Sequence, residues 1–558
     1  MEKETLAPKD STLDQSSMND TDTIATKVED SPARLSSGDE LTPPPSEKAP
    51  PASQEEEWEY ITGFRLAAVM ITITMTCFLM LLDTSIVATA IPSITSDFHS
   101  LNDVGCAGLT PITGKIYSRF GSKSTFMCFV ALFELGSLIC GVAQSSKMLI
   151  VGRAVAGMGG SGLINGALTI IAACVPLEKR AVHMGILMAF AQLGVLFGPL
   201  IGGAFTQYTT WRWCFYINLP AGAVVLFILT FVRIPDRNKN RAATTIQETI
   251  KGLDLPGFAL FAPGAIMLLL ALQWGGTTYA WSSATIIGLF CGSAGMVAIF
   301  MGWEYTQGDR AMIPWAMIKQ RIVWSSCASV AFFFGGQLIN SYYLAIYFQS
   351  VRGVSPTLSG VSMLPGILSQ MLFAPISGYL VGRLGYYLPW AVGGSALASI
   401  GYGLISLYGV ATPTGTWIGY QIIGGVGRGM SLQMPLLAIQ STLKPEQIPV
   451  GMAICTFFQT LGGALFISFA QTGFSTGLSQ ALGTFAPQVS VQVVEVAGAT
   501  GFRSVIPAEY IPGVIDSYAQ SVSHVFYIAA ASAAAGFVAN WGMGWKSVKK
   551  PKVVEPAA

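Results

Sequence analysis

A succession of long apolar runs constrains this 558-residue chain more than any other feature of its sequence. A helix needs about 20 apolar residues to cross a bilayer, and thirteen runs reach roughly that length. The fold class predicted from them is an all-α polytopic membrane protein. The predicted spans are residues 65–91, 124–143, 148–175, 184–206, 214–233, 256–274, 283–303, 322–349, 357–381, 386–409, 415–440, 450–474 and 524–545.

One further apolar segment is too short for a normal crossing. Only eleven residues, 104–114, separate Asp103 from Lys115. If this segment still crosses and both chain ends are cytosolic, nineteen Lys and Arg residues lie on the cytosolic side of the spans and four on the other side. Cytosolic loops carry such an excess of positive charge. We therefore expect fourteen crossings, of which the second is abnormally short.

The two ends of the chain differ from its apolar body. Residues 1–59 hold 15 acidic and 5 basic residues and are rich in Ser, Thr and Pro, so they cannot bury enough apolar surface to fold. We expect a disordered acidic cytosolic tail there and a basic cytosolic tail at 546–558. The nine cysteines contain no CxxC pair and are interpreted as small apolar residues, with no metal site or disulfide framework.

An internal repeat indicates two related halves. Pro111-Ile-Thr-Gly114 and Pro375-Ile-Ser-Gly378 lie 264 residues apart, and an arginine and a glycine follow each of them at the same offsets. Repeats of this kind bind substrate near the midplane between the halves. The predicted division is an N-terminal bundle at 60–235, two inserted spans with linkers at 236–320, and a C-terminal bundle at 321–545 that includes an extracellular loop at 475–523.

The fifth run carries glycines on one helix face. Gly194, Gly198 and Gly202 recur every four residues, so a neighbouring helix can approach to backbone distance. Pro199 removes a backbone donor within that face and predicts a bend. Gly203 follows directly. Tight helix packing explains this pattern as well as a specialised function does.

Several motifs, taken in their order, resemble those of a known family. They are residues 81–92 in the first span, the loop 114–123, the arginine motif 149–160, the antiporter motif 191–203 and the span entry 211–222. On these residues the chain is identified as a member of the major facilitator superfamily. It is similar to the fourteen-span drug:proton antiporters, and among them to fungal efflux pumps for toxins and secondary metabolites. The resemblance implies two six-helix bundles plus two extra spans.

Charged residues within the spans are the candidates for proton coupling. A charge at the bilayer centre costs several kcal/mol, so each must face a polar cavity or a partner. Asp83 is interpreted as a proton carrier; the alternative is a structural carboxylate bonded to hydroxyls such as those of Thr84 and Ser85. Glu134 is a second candidate; the alternatives are a buried neutral carboxyl or a fixed link to Arg153. The resemblance gives Arg153 a part in proton passage, with anchoring to helix carbonyls as the alternative.

The basic loop has a mechanical role if the resemblance holds. Charged residues of this loop latch the two bundles together on the cytosolic side in the family, and the matching positions here are Gly114, Arg119, Gly121 and Lys123. Ser118 stands where the family has an aspartate, which predicts a weaker latch. Positive charge that only sets topology accounts for the same residues.

Amides inside the spans are candidates to line a substrate cavity. They could equally form hydrogen bonds between helices. The candidates are Asn165, Gln192, Asn218, Gln337, Asn340, Gln433 and Gln459. The loop at 475–523 has apolar stretches that suggest a short amphipathic helix at the surface.

The leading functional prediction is a proton-coupled exporter of a small, largely apolar toxin, drug or metabolite. The expected partners are that small molecule and the lipid bilayer, with no nucleic acid. We expect a monomer in the plasma membrane, or else in a vacuolar or vesicle membrane, that uses the proton gradient and no cofactor. The sequence lacks the GxSxG, HExxH and Walker patterns, so an enzyme is not expected.

Two alternatives stay open. One is a transporter of another solute, such as a basic amino acid or a siderophore, although few charges lie inside the spans. The other follows from the short second segment, which lacks roughly a dozen residues relative to the family. A truncated span near Asp83 would disturb the cavity. The second alternative is therefore a membrane protein whose transport is impaired.

Overall fold

The computed structural model describes residues 60–98, 110–235, 252–276, 279–308 and 311–549. The predicted disordered tail, the segment before the short second span, most of the linker after residue 235 and the end of the basic tail lie outside these residues. Within them the regular structure is helical, and the thirteen helices long and apolar enough to cross a membrane confirm an all-α polytopic protein.

The described residues of the first half form seven helices. They are α1 (Gly63–Phe98), α2 (Thr110–Arg119), α3 (Ser122–Gly141), α4 (Ser146–Cys174), α5 (Leu177–Tyr208), α6 (Trp213–Tyr216) and α7 (Asn218–Phe231). The ten residues of α2 rise about 15 Å, half of the hydrocarbon thickness. The residues before Thr110 lie outside the described part of the chain, so the short second crossing stays a prediction of the sequence.

The inserted pair and the second half follow. The pair is α8 (Leu255–Trp274) and α9 (Ala284–Gln307), and the short α10 (Trp315–Ile318) leads to the second half. That half contains α11 (Arg321–Ser350), α12 (Pro356–Ser362), α13 (Leu364–Leu384), α14 (Leu388–Ile405), α15 (Thr414–Ser431), α16 (Met434–Thr442), α17 (Ile448–Phe485), α18 (Val491–Val505) and α19 (Ile511–Trp541).

Three predicted spans are each divided into two helices, and the second helix begins just before a proline. The helices restart at Asn218, Leu364 and Met434, one or two residues before a proline. A proline has no N–H and its ring clashes with the carbonyl four residues earlier. The previous helix therefore ends near that carbonyl in each case.

The last extracellular connection is shorter than the predicted loop at 475–523. Helix α17 continues to Phe485 and α19 already begins at Ile511, because apolar residues of both extensions, such as Leu482 and Val514, pack in one buried cluster. Helix α18 lies between them, and Nη2 of its Arg503 donates a hydrogen bond to the Ser350 carbonyl at 2.7 Å. The connection is thus a packed cap on α11.

The helices pack as two bundles with the inserted pair beside them. In the first bundle α1 packs on α5, α3 on α4, and α7 on both α1 and α3. In the second, α11 packs on α17 and α19, and α15 on α13 and α14. Helices of opposite bundles meet where α5 contacts α13 and where α17 contacts α2 and α4. Helix α8 packs on α9 and on α17.

Candidate functional site

A buried carboxylate in the first span organises the candidate site. Asp83 of α1 is only 3% exposed. Its Oδ2 accepts a hydrogen bond from Nη1 of Arg153 in α4 at 2.5 Å, which makes the contact an ion pair. Its Oδ1 accepts from Nδ2 of Asn218 in α7 at 3.0 Å. Three helices that are distant in sequence therefore converge on one carboxylate.

The neighbouring hydroxyls bond elsewhere. The hydroxyl of Thr84 donates to the Met80 carbonyl at 3.0 Å, and that of Ser85 donates to the Val195 carbonyl of α5 at 2.8 Å. The partners of Asp83 are thus Arg153 and Asn218, rather than the hydroxyls that the sequence offered as an alternative.

By the predicted topology this ion pair lies toward the non-cytosolic end of the first bundle. Arg153 is the eighth residue of α4, and Asn218 is the first residue of α7. The charge distribution of the loops places the start of both helices outside. Removing one partner of a buried ion pair leaves an uncompensated charge and costs several kcal/mol, so the protonation of Asp83 and the position of Arg153 depend on each other.

Glu134 lies beside this centre on α3. Within the described residues neither of its carboxyl oxygens has a hydrogen-bond partner, and its side chain packs directly against Gly222 of α7. Ser137, one turn further along α3, accepts a hydrogen bond from Nδ2 of Asn218 at 3.2 Å. Arg153 pairs with Asp83 and not with Glu134, so the alternative of a fixed Glu134–Arg153 link does not describe this structure.

The glycine face of α5 packs on α1 at the level of Asp83. A Cβ at Gly194 would lie 2.5 Å from the Phe78 carbonyl oxygen, and one at Gly198 would lie 2.6 Å from the Ser85 side chain. Gly202 is buried, whereas a Cβ at Gly203 would meet nothing within 4 Å. The side chain of Pro199 lies outside the described part. Two glycines therefore bring α5 against the backbone on either side of the carboxylate.

The repeated segments form the contacts between the bundles. A Cβ at Gly114 of α2 would lie 2.8 Å from the Pro449 carbonyl oxygen of α17, and one at Gly378 of α13 would lie 2.6 Å from the Ala181 carbonyl of α5. By the predicted topology both contacts lie in the cytosolic half. The two bundles are thus closed against each other on the cytosolic side.

The basic residues of the loop after α2 point in different directions. Nζ of Lys123 donates to the Thr230 carbonyl at the end of α7 at 2.9 Å, a contact within the first bundle. Gly121 directly precedes α3. The guanidinium of Arg119 packs on Gly252, just before the inserted pair, since a Cβ there would lie 2.7 Å from Cζ.

A comparison with protein families assigns the chain. The sequence model described as "Major Facilitator Superfamily" matches residues 73–467. The chain belongs to the major facilitator superfamily. It is therefore a multi-pass membrane transporter and not an enzyme.

Curated relatives in this superfamily align along nearly the full chain. The MFS-type transporter pigP of Monascus ruber is 53% identical over 92% of this chain and 91% of its own length. The efflux pump mlcE of Penicillium citrinum is 51% identical over 88% and 93%. The efflux pump mokI of Monascus pilosus is 46% identical over 89% and 95%.

Solved superfamily structures share the fold. The proton:xylose symporter XylE aligns with a TM-score of 0.57 at 14% identity, covering 87% of this chain and 97% of that one. The human organic anion transporter MFSD10 aligns with a TM-score of 0.53 at 12% identity, covering 85% and 100%. These likenesses support the two-bundle fold.

The candidate cavity amides of this superfamily member are not one group. The amide of Asn165 lies 3.0 Å from Thr113 Oγ1 and 3.2 Å from the Pro449 carbonyl, so it sits at the cytosolic bundle contact, whereas Asn218 bonds to Asp83. The remaining candidates are placed as follows: Gln337, Asn340 and Gln433 are buried with side-chain oxygens that have no hydrogen-bond partner among the described residues, and Gln192 and Gln459 are half-buried.

The second bundle holds a buried cation of its own. Arg428 of α15 is 3% exposed, and its Nε donates to Oε1 of Gln370 at 3.0 Å. The guanidinium lies 5.8 Å from the ring centroid of Tyr402. No carboxylate in the described residues forms an ion pair with it. The two bundles therefore stabilise their buried cations differently, by a carboxylate in the first and by an amide and a ring in the second.

Proposed function

We propose that this transporter is a proton antiporter that exports a small, largely apolar metabolite, toxin or drug. The observation that carries the proposal is the buried Asp83 carboxylate, held by Arg153 and Asn218 in a superfamily member that is closed on its cytosolic side. An acid within a membrane span is commonly a proton site.

The proposed cycle starts with proton uptake from outside, since the Asp83 site is nearer to that side. Protonation removes the negative charge that holds Arg153, and the buried guanidinium must then find other acceptors. This change favours the other access state of the bundles. Release of the proton toward the cytosol restores the ion pair and resets the transporter.

Glu134 is proposed as a second carboxyl in the same relay. It has no hydrogen-bond partner among the described residues, and it lies within electrostatic range of Asp83. Ser137 and Asn218 connect its helix to that carboxyl. Glu134 itself packs against Gly222 of α7, so passage of a proton from Asp83 to Glu134 requires a side-chain movement or a water between the two carboxyls.

The proposed substrate class rests on composition and on relatives. Hydrophobic residues form 52% of the chain and charged residues 11%, which suits an apolar, adaptable cavity. Two of the relatives are named efflux pumps. We also propose that the transporter works as a monomer in the plasma membrane and needs the proton gradient but no cofactor.

The test compares proton-driven export in two variants that each remove one acid. Asp83→Asn removes the proposed carrier, and Asp516→Asn removes an exposed acid of α19. Inside-out vesicles with an imposed proton gradient are given rhodamine 6G, followed by a panel of apolar fungal metabolites. We expect gradient-driven accumulation with the parent and with Asp516→Asn, and a loss of at least about tenfold with Asp83→Asn. Equal gradient-driven accumulation with Asp83→Asn would contradict the carrier role, and accumulation that ignores the gradient would contradict antiport.

A further inference from the structure

The inserted pair carries a buried acid that the proposed cycle does not use. Asp254 directly precedes α8 and is 5% exposed. Its Oδ1 accepts hydrogen bonds from the Gly257 backbone N–H at 3.1 Å and from Nε1 of Trp303 in α9 at 2.9 Å. Its Oδ2 accepts from the Met312 N–H at 2.9 Å. This one carboxylate therefore holds the start of α8, the end of α9 and the segment that follows them.

A second buried acid shares one of these donors. Glu304 of α9 is 4% exposed. Its Oε1 accepts from the same Met312 N–H at 3.1 Å, and its Oε2 accepts from the Ile313 N–H at 2.9 Å. Two carboxyls bonded to one N–H lie close together, and like charges at such a distance repel each other. This arrangement is stable with both groups ionised only if cations lie nearby.

The short helix α2 supplies these cations. Lys115 is 5% exposed and interacts electrostatically with both Glu304 and Asp254. Arg119 follows one turn later on α2, and its guanidinium packs on Gly252, two residues before Asp254. Lys115 therefore lies within electrostatic range of both acids, and Arg119 lies against the segment that leads to Asp254.

The two sides of this contact belong to different parts of the transporter. Helix α2 is part of the first half. The inserted pair is fixed to the second half, because the Phe261 ring of α8 packs against the Phe457 ring of α17 with 5.0 Å between centroids. Gly114, next to Lys115, packs on the same helix α17. The charge contact therefore crosses the cytosolic closure between the halves.

We propose that Asp254 and Glu304 are positioning residues that provide the acidic side of a cytosolic latch, with Lys115 and Arg119 as its basic side. The acid that is absent from the loop at Ser118 is thus replaced by acids of the inserted pair. Opening toward the cytosol separates the two sides, so the latch stabilises the cytosol-closed state. This role concerns the bundle movement and does not depend on proton coupling.

The test measures closure directly and needs no substrate. Val450 of α17 is buried beneath Gly114, so in Val450→Cys the new thiol becomes accessible when α2 leaves α17. Inside-out vesicles are treated with a water-soluble maleimide, and labelling of that cysteine is quantified by peptide mass spectrometry. We expect Glu304→Gln and Arg119→Gln each to raise its labelling rate by about threefold or more, since Glu304→Gln removes a buried negative charge and Arg119→Gln removes a half-buried positive charge between α2 and the inserted pair. The double variant should be no faster than the faster single one, because both changes open the same latch.

One control and one replacement set of variants make the result decisive. Glu509→Gln removes an exposed acid outside the latch and should leave the labelling rate unchanged. Lys115→Met and Arg119→Gln carry the test if Glu304→Gln does not give a monodisperse protein. Unchanged labelling in the latch variants, or single effects that multiply in the double variant, would overturn the latch. Neither outcome bears on Asp83, since no proton gradient is applied.

Discussion

Helix pair α1–α5 in the first half and helix pair α11–α17 in the second half use the same packing device. Gly194 of α5 brings its helix against the Phe78 carbonyl of α1, and Gly462 of α17 brings its helix against the Ala331 carbonyl of α11. In both pairs a side chain at the glycine would collide with the neighbouring backbone. The glycine face of α5 is therefore a packing element that both halves share.

The two pairs differ at the next contact. Gly198 packs on Ser85, whose hydroxyl donates to the Val195 carbonyl of α5. In the second pair Gly463 packs on the flexible end of Leu338, and the hydroxyl of Ser468 has no partner in the described part of the chain. The first pair thus has a polar, backbone-tight contact two residues from Asp83. A role of the antiporter motif 191–203 beyond helix packing therefore depends on the contact between Gly198 and Ser85, and not on the spacing of the glycines.

The largest expected effect is the same in both pairs. Gly194→Val and Gly462→Val each force a branched side chain into backbone atoms, and overpacking of this kind costs about 1–3 kcal/mol or more. We expect a lower melting temperature and little export for both variants. Gly403→Val, where a Cβ would meet nothing within 4 Å, is the matched control. If only Gly194→Val destabilises the protein, the two pairs are not packed alike.

The next effect should separate the pairs. Gly198→Ala places its Cβ 2.6 Å from Ser85 and 2.9 Å from the Ile86 nitrogen, so α1 must shift next to Asp83. Gly463→Ala meets mainly Leu338 Cδ1 at 2.7 Å, which can move aside. We expect faster proton leak into pyranine-loaded proteoliposomes for Gly198→Ala only. Equal proton leak in both variants would show that Gly198 serves only in helix packing.

The smallest expected effect concerns the hydroxyls of Ser85 and Ser468. Ser85→Ala removes a hydrogen bond between α1 and α5, a loss of about 1 kcal/mol. Ser468→Ala removes a buried hydroxyl without a partner and should be neutral or slightly stabilising. Thermal unfolding of the two purified variants measures the difference. A Ser468→Ala variant that is as destabilised as Ser85→Ala would show that Ser468 has a partner, such as a bound water.

Hydropathy and charge predicted most of the fold because the bilayer dictates span length and loop charge. The short second span and the inserted pair are predictions from the spacing and the repeat. The breaks at Asn218, Leu364 and Met434 were missed, although Pro220, Pro365 and Pro435 signalled them. The end of α17 was also missed, because exposed polar residues such as Ser479 and Gln480 alternate with the buried Leu478 and Leu482.

The site was less predictable because its contacts join distant residues. Asp83 and Arg153 stood out as charges in apolar runs, but nothing in the sequence pairs them. Asn218 was grouped with the cavity amides, and only the fold brings it to Asp83. Asp254 and Glu304 lie at the ends of apolar runs, where acids are ordinary, so the contact with α2 had no signal in the sequence. The roles of Asp83 and Glu304 in transport are predictions that the variants above test.

The cytosolic closure at Gly114 and Gly378 has a thermodynamic consequence. Close contacts lie at both places, and one buried apolar cluster surrounds them with side chains of both halves, such as Met184 and Leu187 of α5 and Met452 of α17. The heat-capacity change of a transition scales with the apolar area it exposes. Opening toward the cytosol separates these side chains, so we expect the balance between cytosol-closed and cytosol-open states to change with temperature.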